Sequence, residues 1–138
     1  KIIPNNQFSI DFEIDFSSNL INKQACQLQL INGNYKSDIS SARTFGFEKD
    51  VDYLRANGLA LGGSLENAVV VGEKHILNKE GLRFKDEFVR HKILDSIGDL
   101  YLAGRPVQGY FFGSKSGHFL NNQLLRKLFS DKSNFEII

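Results

Sequence analysis

The histidine and aspartate residues within positions 86–99 have a spacing suited to chemistry at a metal ion. His91 and Asp95 are four positions apart, so on a helix an imidazole nitrogen and a carboxylate oxygen lie one turn apart and can converge on one point. Zinc in proteins takes ligands of these two kinds. The spacing therefore indicates two ligands of a Zn²⁺ ion, and an ordinary ion pair on a solvated helix face is the alternative.

A second histidine, His118, follows the polar residues 115–117, where a strand is predicted to pass into a helix. A histidine titrates near ~6.5, so it can act as an acid or a base at neutral pH. A nearby carboxylate such as Asp99 would stabilise its protonated form. The pattern indicates a general acid or base, with a polar turn capping the helix as the alternative. His75 has no acidic or histidine neighbour at ligand spacing and is interpreted as a surface residue.

Two further signals are weaker. Ser64 follows two glycines and could line a path for a phosphate or an acyl chain, and a tight turn is the alternative. Phe45 and Phe47 flank a glycine and could stack on a sugar or base, although such pairs also belong to cores. The sequence has no P-loop and no nucleophile elbow, and Cys26 lies mid-strand without a nearby histidine. Nucleotide hydrolysis and covalent catalysis are therefore unsupported.

The composition predicts one globular domain at positions 1–138. With 41% hydrophobic residues among 138, the chain can bury a core, and a net charge of +1 provides no overall field for nucleic acid or an anionic membrane. The single Cys26 excludes an internal disulfide and favours a reducing compartment, so a cytoplasmic location is predicted. No apolar run reaches the ~20 residues of a transmembrane span. The chain lacks an initiator methionine and is expected to be a piece of a longer protein.

The elements that must position these residues follow from periodicity. Apolar and acidic residues alternate at positions 8–16, which predicts a strand with one buried face, and positions 26–30 predict its antiparallel partner after a polar connector. A turn is expected at Asn32 and Gly33. In chain order there follow an extended segment at 40–47, a helix at 48–57, a strand at 68–71, the long helix containing His91, a strand at 107–113, a helix at 118–129 and an edge strand at 135–138. This order predicts an α+β fold: a two-layer sandwich of a mainly antiparallel sheet packed with two long helices, plus a small strand-helix insertion.

Four runs, at positions 41–47, 57–64, 81–95 and 115–118, together with Asn121 and Asn122, are recognisable as a set. They closely resemble the second half of the UDP-3-O-acyl-N-acetylglucosamine deacetylase (LpxC) family, and the resemblance covers nearly the whole chain. It implies a zinc amidase that removes the acetyl group of UDP-3-O-(3-hydroxyacyl)-N-acetylglucosamine, the committed step of lipid A synthesis in Gram-negative bacteria. It also implies two similar α+β domains with the active site between them.

The resemblance implies a role for each candidate residue. His91 and Asp95 would be zinc ligands, and His118 would be the catalytic histidine, protonated to stabilise the oxyanion and to assist the leaving amine. Asp99 would orient His118, and Thr44 would hydrogen-bond the tetrahedral intermediate.

It implies substrate contacts as well. Phe45 and Phe47 would meet the sugar and nucleotide side, and Lys92 and Lys115 would meet the diphosphate. An insertion at about 48–77 would form a hydrophobic passage for the acyl chain, and its small residues are Ala60, Gly63, Ser64 and Ala68.

One departure from the family pattern stands out. The family takes its third zinc ligand, a histidine, and its general-base glutamate from adjacent positions in the first domain, and no His-Glu or Glu-His pair occurs in these 138 residues. We therefore expect the missing first domain to be a partner of this chain and the isolated chain to be inactive. A non-catalytic binding module that keeps the acyl and diphosphate contacts is the alternative.

Overall fold

The structure is a computed structural model that describes residues 1–31 and 33–138. Its strands are β1 (Ile2–Ile3), β2 (Ser9–Ile14), β3 (Gln24–Gln29), β4 (Thr44–Phe47), β5 (Ala68–Val71) and β6 (Tyr110–Ser114). Its α-helices are α1 (Asn34–Asp38), α2 (Val51–Ala56), α3 (Glu87–Leu100) and α4 (His118–Phe129), and 3-10 helices lie at Glu48–Asp50, Tyr101–Ala103 and Lys132–Asn134. The turn predicted at Asn32 and Gly33 involves Asn32, which lies outside the described residues.

The main sheet is built around the alternating strand β2. Ile10, Phe12 and Ile14 on one face of β2 are buried, as the period of two predicts. The strand order is β1-β6-β2-β3, with β2 antiparallel to β3, β6 parallel to β2, and β1 antiparallel to β6. The predicted antiparallel pair is confirmed, while β1 is an addition that the sequence pattern did not reveal.

The long helix α3 covers one face of this sheet, and the second long helix, α4, lies against it. The apolar residues of α3 pack against β2 and β3, and α4 packs against α3. This arrangement confirms the predicted α+β sandwich. The helix tightens to 3-10 geometry after Leu100, and Tyr101, the first residue of that turn, is 66% exposed. No helix in the described ranges combines the length and apolar character needed to cross a bilayer.

A second, two-stranded sheet carries the insertion. Strands β4 and β5 pair in parallel, with Thr44 opposite Ala68 and Phe47 opposite Val71. Parallel neighbours require a crossover, which α2 and the following loop provide. Asn78 fixes the end of this loop, since its side chain bonds the backbone of Leu65, Ala68 and Val70.

The predicted edge strand at 135–138 is wrong. These residues form no strand, and the Phe135 ring packs edge-on against Phe129, with the ring centroids 5.1 Å apart. The apolar side chain thus caps the end of α4 instead of extending the sheet.

Replacing Gly113 by alanine is expected to lower the free energy of unfolding by about 1–3 kcal/mol. A Cβ at Gly113 would lie 2.5 Å from Cδ2 of Phe12 and closer still to Cε2, and Phe12 is fully buried and has no room to move. Urea unfolding of the two chains measures the difference. Gly98→Ala is the control, because a Cβ there meets nothing within 4 Å on the exposed face of α3, so stability should rise by up to ~1 kcal/mol. Equal stability of Gly113→Ala and the parent would contradict the close packing of β6 on β2.

Candidate metal and catalytic site

The polar face of α3 brings the two predicted metal ligands together. Nε2 of His91 lies 3.2 Å from Oδ1 of Asp95, and the two side chains are 14% and 15% exposed. Ligand atoms at zinc bond lengths of ~2.0–2.2 Å in a tetrahedral site lie roughly 3.3 Å apart. The separation of these two donors therefore fits adjacent positions around a zinc ion.

The carbonyl of Ala42 determines the orientation of the His91 ring. Its Nδ1 lies 3.1 Å from the carbonyl oxygen of Ala42, and because a carbonyl only accepts, Nδ1 carries the proton. Nε2 then faces the Asp95 carboxylate, to which it donates when it carries a proton and toward which it presents a lone pair when that proton is replaced by a metal ion. Two lone pairs at this distance repel each other unless a proton or a cation lies between them. A carbonyl behind a histidine is a common support for a metal ligand, so the donor set fits zinc.

The Asp95 carboxylate is kept ionised. Burial by itself would raise the pKa of Asp95, but the hydrogen bond with His91 and the charges of His91 and Lys92 outweigh it and hold the pKa below the usual aspartate value. An ionised carboxylate is the form that binds a metal.

Within residues 1–31 and 33–138, no three His, Cys, Asp or Glu side chains are arranged to hold a metal ion. A catalytic zinc site normally has three protein ligands and a water molecule. By themselves, His91 and Asp95 would therefore supply two of these three ligands.

His118 and Asp99 form a dyad beside the two predicted metal ligands. His118 begins α4, and its Nδ1 lies 2.9 Å and 3.0 Å from the two oxygens of Asp99. Since a carboxylate accepts, Nδ1 donates, and Nε2 points away from Asp99 to within 3.9 Å of Oδ2 of Asp95. The crossing of α3 and α4 thus brings both histidines and both aspartates to one place on the surface.

The capping interpretation of the turn before α4 is not supported. Gly117 occupies the N-cap position, and no side chain makes a capping hydrogen bond there. The Ser116 hydroxyl instead donates to the side chain of Asn121.

Asn121 belongs to the residues that carry the family resemblance, but the sequence indicated no role for it. Its side chain is buried, and Nδ2 donates to Oδ2 of Asp99 at 2.8 Å and to Oγ of Ser96 at 3.2 Å. It therefore fixes the carboxylate that orients His118. Its place one turn after His118 was the available signal, but an asparagine in a helix has too many ordinary uses for spacing alone to single it out.

Comparison with known proteins identifies the family. The family model described as LpxC, UDP-3-O-acyl N-acetylglycosamine deacetylase, matches residues 1–130. The chain belongs to this family. The resemblance predicted from the four sequence runs is thereby confirmed.

Relatives in this family are similar along the whole chain. The UDP-3-O-acyl-N-acetylglucosamine deacetylase of Psychrobacter cryohalolentis is 57% identical over 100% of this chain and 44% of its own length. The deacetylases of Acinetobacter baumannii and Syntrophus aciditrophicus are 53% and 52% identical, over 98% and 97% of this chain and 46% and 42% of their own lengths. The chain therefore spans less than half the length of these curated relatives, and it matches their C-terminal part.

Phe45 lies next to His91, and Thr44 and Phe47 are the first and last residues of the same strand. Thr44 begins β4, is exposed, and follows Ala42 by two residues. The Phe45 ring packs on Phe88 at 4.9 Å between centroids and lies 6.4 Å from the His91 ring. Phe45 and Phe47 of this LpxC-family chain are both half-buried and pack against the core, and Phe45 also borders His91. Their contact with substrate stays a prediction.

The two predicted phosphate-binding lysines each have an acidic partner. Nζ of Lys92 lies 3.1 Å from Asp95, and Nζ of Lys115 lies 2.6 Å from Asp15. Lys115 has a φ of 49°, in the left-handed region that side chains rarely occupy. Both residues flank the metal and dyad groups in sequence, and their role toward a diphosphate stays a prediction.

The insertion exposes its small residues and much apolar surface. Asn67 bonds the backbone of Gly62 and Ser64, so Ser64 lies in the tight turn that was its alternative interpretation. Of the predicted passage residues, Ala60, Gly63 and Ser64 are exposed and Ala68 is half-buried at the start of β5. The large apolar side chains exposed nearby are Tyr53, Leu59, Leu61 and Leu65. An acyl passage at this location stays a prediction.

A buried ion pair under the site also escaped sequence reasoning. Glu87 is fully buried and bonds the side chain of Arg43, which is 2% exposed, through Oε1 to Nε at 2.9 Å and Oε2 to Nη2 at 3.2 Å. A glutamate that begins a helix is normally a solvated residue, and the partner lies 44 positions earlier in the chain. Local patterns therefore held no signal for this pair.

Glu87→Ala is expected to lower the free energy of unfolding by about 3–5 kcal/mol, because the Arg43 charge is left buried without its main partner. Asp86→Ala is the matched control. Asp86 is the neighbour of Glu87 in sequence, but its pair with Arg90 lies at the partly exposed surface. That pair should contribute at most ~1 kcal/mol. Chemical unfolding at neutral pH measures both, and similar losses in the two variants would contradict the burial of Glu87.

The contribution of Glu87 to the free energy of unfolding should be lost at acidic pH. Burial by itself raises the pKa of Glu87, but hydrogen bonds from Arg43 and Arg83 outweigh it and leave the pKa below the usual glutamate value. A lowered folded-state pKa gives stability that is present above the unfolded-state pKa and is lost as the pH falls through the folded value. Urea unfolding of the parent and of Glu87→Gln should therefore differ at pH 7 and converge below the folded pKa. A difference that grows on acidification would contradict the assignment.

Proposed function

We propose that this chain supplies the C-terminal part of the active site of a zinc-dependent deacetylase acting on UDP-3-O-(3-hydroxyacyl)-N-acetylglucosamine in lipid A biosynthesis. The observation that supports it most directly is the meeting of the His91 and Asp95 donors with the His118–Asp99 dyad on one face, with Nε2 of His118 3.9 Å from Asp95. The names of the relatives supply the substrate and the reaction.

In this proposal His91 and Asp95 hold the zinc ion. Bound zinc in such a site supplies Lewis-acid polarisation of the amide carbonyl and lowers the pKa of water. Nε2 of His91 is directed at this position by the Ala42 carbonyl, and the ionised Asp95 offsets the charge of the ion.

The His118–Asp99 dyad would stabilise the negative charge that develops on the acetyl oxygen. His118, protonated and held by Asp99, places its Nε2–H toward the oxyanion that forms when water adds to the acetyl carbonyl. The same proton can then be transferred to the leaving amine, so that the C–N bond breaks to give acetate and a free amino sugar. Thr44, exposed beside Ala42, donates its hydroxyl to the tetrahedral intermediate.

The substrate is held around these groups. Lys92 and Lys115 would exchange their carboxylate partners for the diphosphate, and Phe45 and Phe47 would border the sugar and nucleotide. The exposed apolar side chains of the insertion would take the acyl chain. The third ligand and the general base would come from the rest of the protein. We place the reaction in the cytoplasm, where the unpaired Cys26 stays reduced.

Metal analysis and an activity assay of the full-length protein test the proposal. We expect one zinc ion per chain by elemental analysis and release of acetate from the acylated UDP-sugar. A folded full-length protein with His91 and Asp95 intact that binds no zinc would leave the non-catalytic binding module as the better interpretation.

A further inference from the structure

A single carboxylate organises the region behind the metal ligands. Glu87 lies on the same face of α3 as His91 and Asp95, one and two turns before them, and it is fully buried. It accepts four hydrogen bonds: from the backbone N–H of Arg43 at 2.9 Å, from Nε and Nη2 of Arg43 at 2.9 and 3.2 Å, and from the backbone N–H of Arg83 at 2.7 Å. Glu87 therefore joins three separate segments of the chain.

The partner of Glu87 is equally well fixed. Nη1 of Arg43 donates to Glu80 at 2.5 Å, and its Nη2 also donates to the carbonyl of Gly81 at 2.7 Å. The guanidinium plane is thereby held on three sides. The backbone at residue 43 is held directly as well, because its N–H bonds the same Glu87 oxygen.

The segment that this network fixes is the one that supports His91. The Ala42 carbonyl and the Arg43 N–H belong to one peptide group. The N–H donates to Glu87, and the carbonyl accepts from Nδ1 of His91 at 3.1 Å. One planar peptide unit is thus bonded at its N–H to Glu87 and at its C=O to His91, both on α3. A displacement of the Glu87 carboxylate would rotate this peptide and move the carbonyl away from the imidazole.

We propose that Glu87 is a positioning residue for the metal site, which acts through the Ala42–Arg43 peptide to keep the proton of His91 on Nδ1 and its Nε2 free for the metal. The inference rests on the zinc site proposed above. A bond network that served stability alone could be replaced by apolar packing of similar volume, since buried ion pairs contribute little net stability. The four directed bonds of a carboxylate do what apolar packing cannot, which is to set the orientation of one peptide group.

The test measures zinc affinity in the full-length protein by competition with a chelator. Glu87→Gln keeps the shape of the side chain but weakens its acceptors, and it should bind zinc about 10–100-fold more weakly, the loss typical of disturbed support for a metal ligand. A second readout is the tautomer of His91 in the metal-free protein by ¹⁵N NMR of the ring. In spectra of the neutral ring, the parent should show the Nδ1–H form, and Glu87→Gln a mixture of both forms.

Two controls separate positioning from stability. Asp86→Asn alters the neighbouring carboxylate, whose pair with Arg90 is partly exposed, and should leave zinc affinity unchanged. Leu125→Ala removes buried packing in α4 and lowers stability, but it should bind zinc like the parent when affinity is measured under folded conditions. Arg43→Lys keeps the charge but loses the bidentate contact with Glu87, so it should reproduce the Glu87→Gln result. It replaces Glu87→Gln as the test variant if that protein does not fold.

The outcomes are distinct. Parent-like zinc affinity and tautomer in Glu87→Gln or Arg43→Lys would overturn the positioning role while leaving the zinc site intact. Equal weakening in Leu125→Ala would overturn it too, because the loss would then follow stability. A parent protein that binds no zinc would overturn the metal site itself, and this inference with it.

Discussion

In the full-length protein, His118→Ala is expected to lower the turnover number by about 10²–10³-fold while the zinc content stays at the parent level. Loss of a single donor to an oxyanion typically has this effect on the rate. His118 is 69% exposed and its Nε2 lies 3.9 Å from Asp95, so it contacts the reaction space without being one of the close donor pair. Steady-state kinetics and elemental analysis of the same preparation measure both quantities.

The chain provides its own controls for this prediction, because it has three histidines in all. His91→Ala should lose the metal and the activity together, since it removes one of the two donors. His75→Ala should change neither, because that residue is exposed and lies outside the group formed by α3 and α4. Equal metal loss in the His91 and His118 variants would contradict the division of roles between ligand and catalytic acid.

The parts of the fold that were predictable are those with local causes. The alternation in β2 and the helical spacing in α3 are determined by residues a few positions apart, so their existence and burial could be read from the sequence. The pairing of β6 with β2 in parallel was not predictable in this way, because it depends on which distant strand fills the centre of the sheet. Strand β1 is two residues long and carries no periodicity.

The same distinction applies to the site. The His91–Asp95 contact follows from a four-residue spacing on one helix, which geometry alone converts into proximity. The His118–Asp99 contact depends on the crossing of two helices; the sequence suggested Asp99 only as one nearby carboxylate, and its role of orienting His118 came from the family resemblance. Glu87 shows the limit most clearly: its identity and position resemble a solvated residue at a helix start, and only the arrival of Arg43 from another segment makes its burial favourable.

The 138-residue chain by itself is expected to fold and to show no deacetylase activity. Folding is expected because the core is formed within the chain, and no buried side-chain nitrogen or oxygen among the described residues lacks a hydrogen-bond partner. Inactivity is expected because those residues offer only two converging metal donors, while a catalytic zinc site uses three. Circular dichroism and an acetate-release assay on the purified chain measure the two properties, and zinc should bind weakly and exchange readily.

Mixing this chain with the separately produced remainder of the protein should restore measurable hydrolysis, because the missing ligand and base would then reach His91 and Asp95. Exposed apolar residues beside the dyad, among them Leu102 and Phe119, favour such an association. The His91→Ala chain is the matched control, as it keeps these apolar residues and should associate without restoring activity. Robust hydrolysis by the chain alone would show that it contains a third ligand and a base of its own, and the active site assigned to its surface would then be wrong.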